Sequence, residues 1–597
     1  LINHERSLAR LFHDLRFVVI DEIHVFMNVD RGRQILCQLD RLTPYLSAPP
    51  RRIGLSATLG DYTAAESWLQ ANTDRPVTTV SAPKSGKVRL SVEYFYRTPP
   101  ATDGPVMPDV HDQHIFNRTQ TRTKSLIFTN SRGGAEQVIT NLRNIAQSRR
   151  LPDIYHVHHG SVAAPLREAA EKAMKEDGQP AVTAATLTLE LGVDIGHLEQ
   201  VIQLNAPQSV AGFLQRLGRS GRRGDPAEMW FVCSESEPTG EENLAEQFPW
   251  DLLQTIAILQ LYLEEKWIEP LHFINYPYSL LYHQTMSTLL SLGELPPADL
   301  ARRVLTLPPF RHITQEDYQQ LLRHLMAIDH IERIEDGGLI VGLAGEKVAR
   351  NYRFYAVFQD NEEITVYAEG GEVGRIMRLL PKGERFALAG RSWEVVESSP
   401  GQQSIFVKAV PGQAEGVWLG GGGEIHTRVL QRMQQVLLEP DVYPYLQPGA
   451  KARLVQARAL AQRVRLDQRQ LIQLGHGVIA FVPWRGTRAF HTLIRVVQTK
   501  LATPLDLSIV ESRAPYYILL RCTAGTTILQ YALSRLQNSE LTPEDLLDKQ
   551  EAPEINKYDP FVPPTLRRKG AADFLRIKED DQLANENNAS LPSTSQT

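Results

Sequence analysis

Between Leu15 and Cys233 short apolar runs recur, and each stops abruptly at a polar motif. Leu15 to Ile20 (LRFVVI) reads as a buried strand ending at Asp21-Glu22-Ile23-His24, Arg31 to Leu42 as a helix, and Ile53 to Leu55 as a strand end before Ser56-Ala57-Thr58. A second series predicts strands at Ser125 to Phe128, Ile154 to His158, Ala181 to Ala185, Val201 to Leu204 and Met229 to Cys233. Helices are expected between them at Arg132 to Gln147, Ala163 to Lys175 and Ser209 to Leu217. The polar, Pro-rich stretch from Thr98 to Gln120 reads as a linker between the two series. Strands alternating with helices imply parallel α/β sheets, because a parallel pair needs a crossover. Ligands of such sheets sit beyond the carboxyl ends of the strands, where these polar motifs fall.

The pattern changes downstream. From Trp250 to about Glu346 it is helical, with Thr314 as an N-cap, Glu316 and Asp317 in the first turn, and a helix to Ile328. IERIEDGGLIV follows, with a turn at Asp336-Gly337, so helices plus a hairpin suggest a winged helix. Its Thr314 to Ile328 helix, acidic at the start, reads as a packing helix rather than a reader of duplex. From Phe354 to Val410 the segments FYAVFQ, EITVYAE, RFALAG, SWEVVES and SIFVKAV suggest a small β-barrel or sandwich. A basic helical stretch with Lys451, Arg453, Arg458, Arg463 and Arg465 is either a solvated face or a nucleic-acid contact, and a mixed region runs on to about Leu547. The tail DDQLANENNASLPSTSQT is expected to be disordered.

Composition sets wide limits. The chain has 597 residues, 42% apolar and 22% charged, which suits a soluble multidomain protein. A net charge of -5 carries no global basic excess, although a local basic track needs none. Cys37, Cys233 and Cys522 lie far apart, which excludes a disulfide framework and any CxxC knuckle and fits a reducing cytoplasm. No apolar run is long enough to span a bilayer and no signal peptide is recognisable, so a cytoplasmic location without membrane contact is expected. The chain opens at Leu1 directly into strand chemistry and reads as cut inside a domain.

Asp21 and Glu22 at a strand end suit a Mg²⁺-nucleotide reaction, one carboxylate holding the metal through water and the next positioning the attacking water. Taken alone, such a pair is more often a solvated loop. Ser56 and Thr58 offer hydroxyls able to bond the acidic pair, although Ser-Ala-Thr alone is more often a simple turn or helix cap. QRLGRSGRR, with Gln215, Arg216, Arg219, Arg222 and Arg223 spaced by glycines, presents planar donors to a phosphate; the plain alternative is a basic loop. In TLTLELGVD, Gly192 permits close approach and Asp194 could orient a ribose or an arginine. His156, His158 and His159 raise a metallo-hydrolase, but no second histidine cluster accompanies them.

Taken in order, DEIH, LSAT, SLIFTNSR, HHGS, ATLTLELGVDIG and QRLGRSGR resemble motifs II, III, IV, its following loop, V and VI of superfamily 2 DExH-box helicases, over roughly residues 1 to 235. The downstream layout resembles the Lhr (large helicase-related) type. The resemblance implies a multidomain α/β fold: RecA-like parallel-sheet domains, the first incomplete, then a winged helix, a small β-barrel and a C-terminal α/β region. Its expected borders are 1–85 and 86–240 for the RecA-like domains, 241–350, 351–412, 413–565, and a tail at 566–597. It further implies ATP and Mg²⁺ as cofactors, with Asp21 on the metal and Glu22 activating water. His24, Ser56 and Thr58 would couple hydrolysis to movement. Arg219 and Arg222 would be finger residues with Gln215 beside them, and Gly192 and Asp194 would contact nucleotide or transmit its state. Thr129, Ser161 and Thr186 would face the phosphates of single-stranded nucleic acid, DNA in preference to RNA, or of a duplex being unwound. Protein partners are left open.

One departure is large. A phosphate loop of the form GxxxxGK followed by Ser or Thr occurs nowhere in the sequence, and Lys84-Ser85-Gly86-Lys87-Val88 lacks its spacing and hydroxyl. The chain by itself is therefore expected to be inactive as an ATP-driven motor. The rival readings are a nucleic-acid-binding or regulatory remnant without ATPase activity, and a metal-dependent hydrolase built on the histidines.

Overall fold

The computed structural model describes residues 5–80, 88–98, 109–190, 195–196, 198–221, 226–359, 363–369, 371–377, 380–399, 403–410, 423–537, 541–547 and 551–575. They fall into two compact units, 1–273 with 355–468, and 274–354 with 469–597.

In the first unit, α1 (Glu5–Phe12), β1 (Phe17–Ile20), α2 (Asp30–Leu42), β2 (Arg51–Gly54) and α3 (Tyr62–Gln70) build a small α/β layer. β1 and β2 are parallel, Phe17 opposite Arg51 and Ile20 opposite Gly54. The alternation of a strand sends Val18 and Ile20 onto Met27, Leu36 and Trp68, while Phe17, Val19 and Ile53 stay exposed on the other face. Among the described residues this sheet has two strands only.

The second sheet contains β3 (Val88–Arg97), β4 (Lys124–Phe128), β5 (Tyr155–His158), β6 (Ala181–Ala185), β7 (Gln200–Leu204) and β8 (Ala227–Ser236). Its helices are α4 (Val110–Thr119), α5 (Arg132–Ser148), α6 (Ala164–Lys175) and α7 (Val210–Leu217). The order β3-β8-β7-β4-β6-β5 is parallel throughout. Its inner strands β4 and β6 are buried along their whole length because both faces are covered. The expected linker needs correction in its second half: residues 99–108 lie outside the described residues, but residues 110–119 form α4, capped by Asp109, with Ile115 and Phe116 buried in the core. A short apolar stripe inside polar surroundings hid it. Strand β3, also unmarked in the sequence reading, pairs with β8 along its full length. Helix α8 (Trp250–Glu265) follows.

In the second unit, α9 (Tyr278–Leu292), α10 (Pro297–Leu305) and α11 (Gln315–Ala327) precede the hairpin β9 (Ile331–Arg333)–β10 (Leu339–Val341) and α12 (Leu343–Ala349). The Thr314 hydroxyl caps α11 at the Asp317 amide. Tyr318, Leu321, Leu322 and Leu325 are buried, and Lys569 binds Asp317 at 2.7 Å, so α11 is a packing helix.

Back in the first unit, β11 (Ile364–Ala368), β12 (Gly371–Ile376), β13 (Arg385–Leu388), β14 (Arg391–Ser399) and β15 (Ser404–Ala409) form one sheet in the order β12-β11-β15-β14-β13. Bulges at Val366/Tyr367 and Val395/Glu397 curl it around Phe386, Trp393 and Ile405. FYAVFQ, expected as a strand, is a short 3₁₀ turn at Tyr352–Tyr355 followed by coil, and β12 takes the fifth place instead. Helices α13 (Thr427–Leu438) and α14 (Pro448–Arg463) close this unit. The basic residues of α14 divide. Arg453 binds Glu235 (3.1 Å) and Tyr94 Oη (3.1 Å), and Arg458 donates to the carbonyls of Val436 and Asp441. These two are internal clamps, not a solvated face.

The second unit is completed by β16 (Leu471–Gly475), β17 (Val478–Phe481), α15 (Thr487–Val496), α16 (Ala502–Leu505), β18 (Leu507–Arg513), β19 (Tyr517–Cys522), α17 (Gly525–Gln537) and α18 (Pro564–Ala572). Its antiparallel sheet has the order β16-β17-β19-β18. The segment DDQLANENNASLPSTSQT, expected to be disordered, lies outside the described residues.

Candidate functional site

The acidic pair stands where β1 ends. Glu22 has φ 49°, a left-handed conformation that a non-glycine residue adopts only when its surroundings enforce it. The enforcement is local. Asp21 Oδ1 accepts the Glu22 amide at 2.9 Å, and the Ile23 amide donates to Leu55 O, the residue before Ser56. The DEIH loop is thereby pinned to the Ser-Ala-Thr loop at the end of β2.

Side chains from the second sheet complete the arrangement. His24 Nδ1 lies 2.8 Å from Ser56 Oγ, and the Thr58 amide donates to that same oxygen. Gln215 Nε2, from α7, donates to Thr58 Oγ1 (3.1 Å) and to His24 Nε2. An amide donor on Nε2 makes that nitrogen an acceptor, so the proton sits on Nδ1 and points at Ser56, with Glu22 Oε2 at 3.4 Å. Burial pushes the His24 pKa down, in keeping with a neutral ring. Thus DEIH, SAT and QRLGR, spread over nearly two hundred positions, meet in one hydrogen-bonded cluster.

Charge balances across the same cleft. Burial, and then Asp21, raise the Glu22 carboxyl above its ordinary range, and Arg219 opposes them. Glu22 Oε2 is buried with no hydrogen-bond partner. Two adjacent carboxylates, one short of donors and one exposed, fit a hard divalent cation held through oxygen and water. Arg219 is held by the Glu190 carbonyl at 2.6 Å. Its neighbour Arg216 is not part of this face. It is buried, ion-paired with the Glu190 carboxylate at 3.3 Å and stacked over Phe128.

The expected strand-facing residues lie at the carboxyl ends of the second sheet. Thr129 follows β4, donates its hydroxyl to Ser131 O, and is tied to β6 through the Ala185 carbonyl. Ser161 follows β5 and accepts from Arg132 Nη1 at 2.6 Å. Thr186 follows β6. Gly192, Asp194 and Arg222 lie outside the described residues, as do Arg223 and Lys84 to Lys87. The histidines point to different partners: His158 to Glu171 and Thr188, His159 to Glu136. Sequence reading did not single out Glu190, Glu136 or Arg132. The available signal was an acid at a core position, Glu190 among leucines and Glu136 on the helical face of Ala135 and Ile139.

Residues 1–66 match the family model of the DEAD/DEAH box helicase, and residues 108–224 that of the helicase conserved C-terminal domain. These matches, with the relatives and solved structures that follow, support a superfamily 2 helicase of the Lhr type. It is 26% identical over 421 residues to an ATP-dependent helicase Lhr-Core of Saccharolobus solfataricus, covering 67% of this chain and 46% of the relative. It is 31% identical over 239 residues to a Lhr helicase/probable uracil glycosylase of Mycolicibacterium smegmatis, covering 35% of this chain and 16% of that one. The chain thus spans less than half the length of these curated relatives. The fold is similar to that of Mycobacterium smegmatis helicase Lhr bound to ssDNA and AMP-PNP, with a TM-score of 0.60 at 20% identity over 98% of this chain and 75% of that one. It is also similar to the DUF1998 helicase MrfA bound to DNA, with a TM-score of 0.50 at 14% identity over 98% of this chain and 77% of that one. Both share the RecA-like parallel sheet. Among the described residues no helix is long and apolar enough to cross a membrane.

Proposed function

We propose that this chain supplies the hydrolysing and coupling half of an ATP-driven motor acting on single-stranded nucleic acid, DNA in preference to RNA. The observation that carries the reading is the His24–Ser56–Thr58–Gln215 cluster, which joins both sheets beside Glu22 and Arg219. Nothing in the core of either sheet requires those polar groups to meet. Relatives named as ATP-dependent helicases, and a similar fold solved with ssDNA and AMP-PNP, support it.

In this reading Glu22 orients a water and takes its proton, and Asp21 holds Mg²⁺ through water. When bound, Mg²⁺ supplies charge neutralisation on the nucleotide phosphates. Arg219 and Arg222 stabilise the charge that develops on the transferred phosphoryl group, and Gly192 and Asp194 line the nucleotide. The neutral His24 relays between Gln215 and Ser56, so hydrolysis alters the contact between the two sheets. Thr129, Ser161 and Thr186 hold phosphates of the strand, which fixes position without reading bases.

A second reading rests on the strand-end residues Thr129, Ser161 and Thr186 alone. In it the chain binds nucleic acid and does not turn ATP over. One experiment separates the two: single-stranded-DNA-stimulated phosphate release by the wild-type protein expressed from its whole reading frame, and by its Glu22→Gln and Arg219→Ala variants. Release by the wild type that both variants abolish supports the motor. Equal, background release from all three, with oligo(dT) still bound, supports the binding chain. Absence of both activities refutes both readings.

A further inference from the structure

The loop from His159 to Ala163, which carries Ser161, is held from two sides by the five-stranded sheet. At the edge strand β12, Ser161 O accepts the Arg375 amide at 2.7 Å and the Ala163 amide donates to Val373 O at 3.1 Å. Val162 bridges Gly374 between them. At the opposite edge, the turn between β13 and β14 directs the amides of Ala389 and Gly390 onto the carboxylate of Glu136 on α5. Both turn residues have positive φ, 55° and 70°, which sets two successive N–H groups toward one anion. The same carboxylate takes His159 Nε2–H at 2.8 Å. His159 Nδ1 accepts the Ser161 amide at 3.3 Å, so the ring is the Nε2–H tautomer and the chain of bonds from Glu136 to Ser161 is unbroken.

Glu136 and His159 are both 0% exposed, where an ionisable pair is costly unless its geometry is fully used. Such pairs are retained where they fix a register. Arg143 reinforces this one, donating from α5 to the carbonyls of Ala389 and Gly390. The two seams therefore leave the loop no freedom that is independent of the sheet.

We propose that Glu136 is a positioning residue, and that through it and the β12 seam the five-stranded sheet travels as one body with the second RecA-like sheet and sets Ser161, with Arg132 on its hydroxyl, against the nucleic-acid backbone. The inference rests on the reading above that Ser161 faces a phosphate. It makes the five-stranded sheet part of the strand-binding apparatus without requiring that sheet to touch the strand.

Two variants outside the helicase motifs test it. Gly374→Ala places a Cβ 2.3 Å from Ser161 O, a backbone atom, so the loop must shift. Glu136→Gln keeps the shape but presents an NH₂ to N–H donors. The readouts are the dissociation constant for fluorescein-labelled oligo(dT) at fixed salt, hydrogen exchange at the amides of 161–163, and the thermal midpoint. Both variants, and Ser161→Ala beside them, are expected to weaken binding by about tenfold, the loss expected of one charged hydrogen bond. Exchange at 161–163 should quicken. A purely structural role would lower the midpoint and leave binding by the folded protein unchanged, which would overturn the proposal. If Ser161→Ala weakens binding but neither Glu136→Gln nor Gly374→Ala does, the positioning role is wrong and the phosphate reading stands. If Ser161→Ala binds like wild type, the phosphate reading is wrong, and with it the role proposed for Glu136.

Discussion

Replacing Arg216 by Met should separate the structural arginine of QRLGRSGRR from those proposed to act on the nucleotide. Met keeps the apolar stem against Phe128 and removes the guanidinium. Glu190, 4% exposed, then loses its ion pair, and Gln203 loses a donor. Removing one partner of a buried pair costs about 3–5 kcal/mol, because the other charge stays desolvated. Burial already raises the Glu190 pKa, and Arg216 is the largest influence holding it down, so the variant raises it further. A carboxyl whose folded pKa lies above its unfolded value of 4.5 leaves stability intact below that value and removes it as pH rises through the folded pKa. The deficit should therefore be smallest near pH 4.5, grow upward, and level off once Glu190 is ionised in the folded state. A second change, Glu190→Gln, should recover most of the loss at neutral pH. Hydrogen exchange at the amides of β6 and β7 in sub-denaturing urea reads this locally, which a chain of two units requires. A loss under about 1 kcal/mol, or one that does not vary with pH, would refute the reasoning.

Other outcomes follow from the same geometry. Arg453→Ala should lower the stability of the first unit by about 2–3 kcal/mol through Glu235 and Tyr94. It should leave the salt slope of oligo(dT) binding unchanged; a shallower slope would return Arg453 to the nucleic-acid track. Mn²⁺, as a probe for Mg²⁺, should bind more tightly as pH rises from about 4.5 through the raised Glu22 pKa, since the metal needs the ionised carboxylate. Glu22→Gln should flatten that dependence, and titration of Mn²⁺ by its electron spin resonance signal decides. Gly32→Ala would set a Cβ 1.8 Å from the Phe26 carbonyl oxygen, so the start of α2 must move, at about 1–3 kcal/mol in urea unfolding; an unchanged midpoint would contradict the packing of that turn.

Much of this was legible along the chain. Apolar runs such as SLIF and AVTAA are buried on both faces, so they announce a parallel sheet without any tertiary knowledge. Polar residues that stop those runs, Asp21, Ser56 and Thr129, necessarily fall at the ligand-binding ends of the strands. Helix α4 was not legible, because only two of its buried residues, Ile115 and Phe116, are apolar, which gives too weak a period. Nor was FYAVFQ, whose β-forming composition gives way to a 3₁₀ turn at Tyr352–Tyr355. The arginines show the limit most clearly. By composition Arg216, Arg219, Arg453 and Arg458 are four surface cations, yet they separate into a buried ion pair, a residue facing Glu22 and two internal clamps. Local sequence sets which residues can form a strand or a helix and where it stops, because that depends on neighbours a few positions away. What a charge does depends on which distant carboxylate, carbonyl or ring lies within a few ångströms, and only the folded chain decides that.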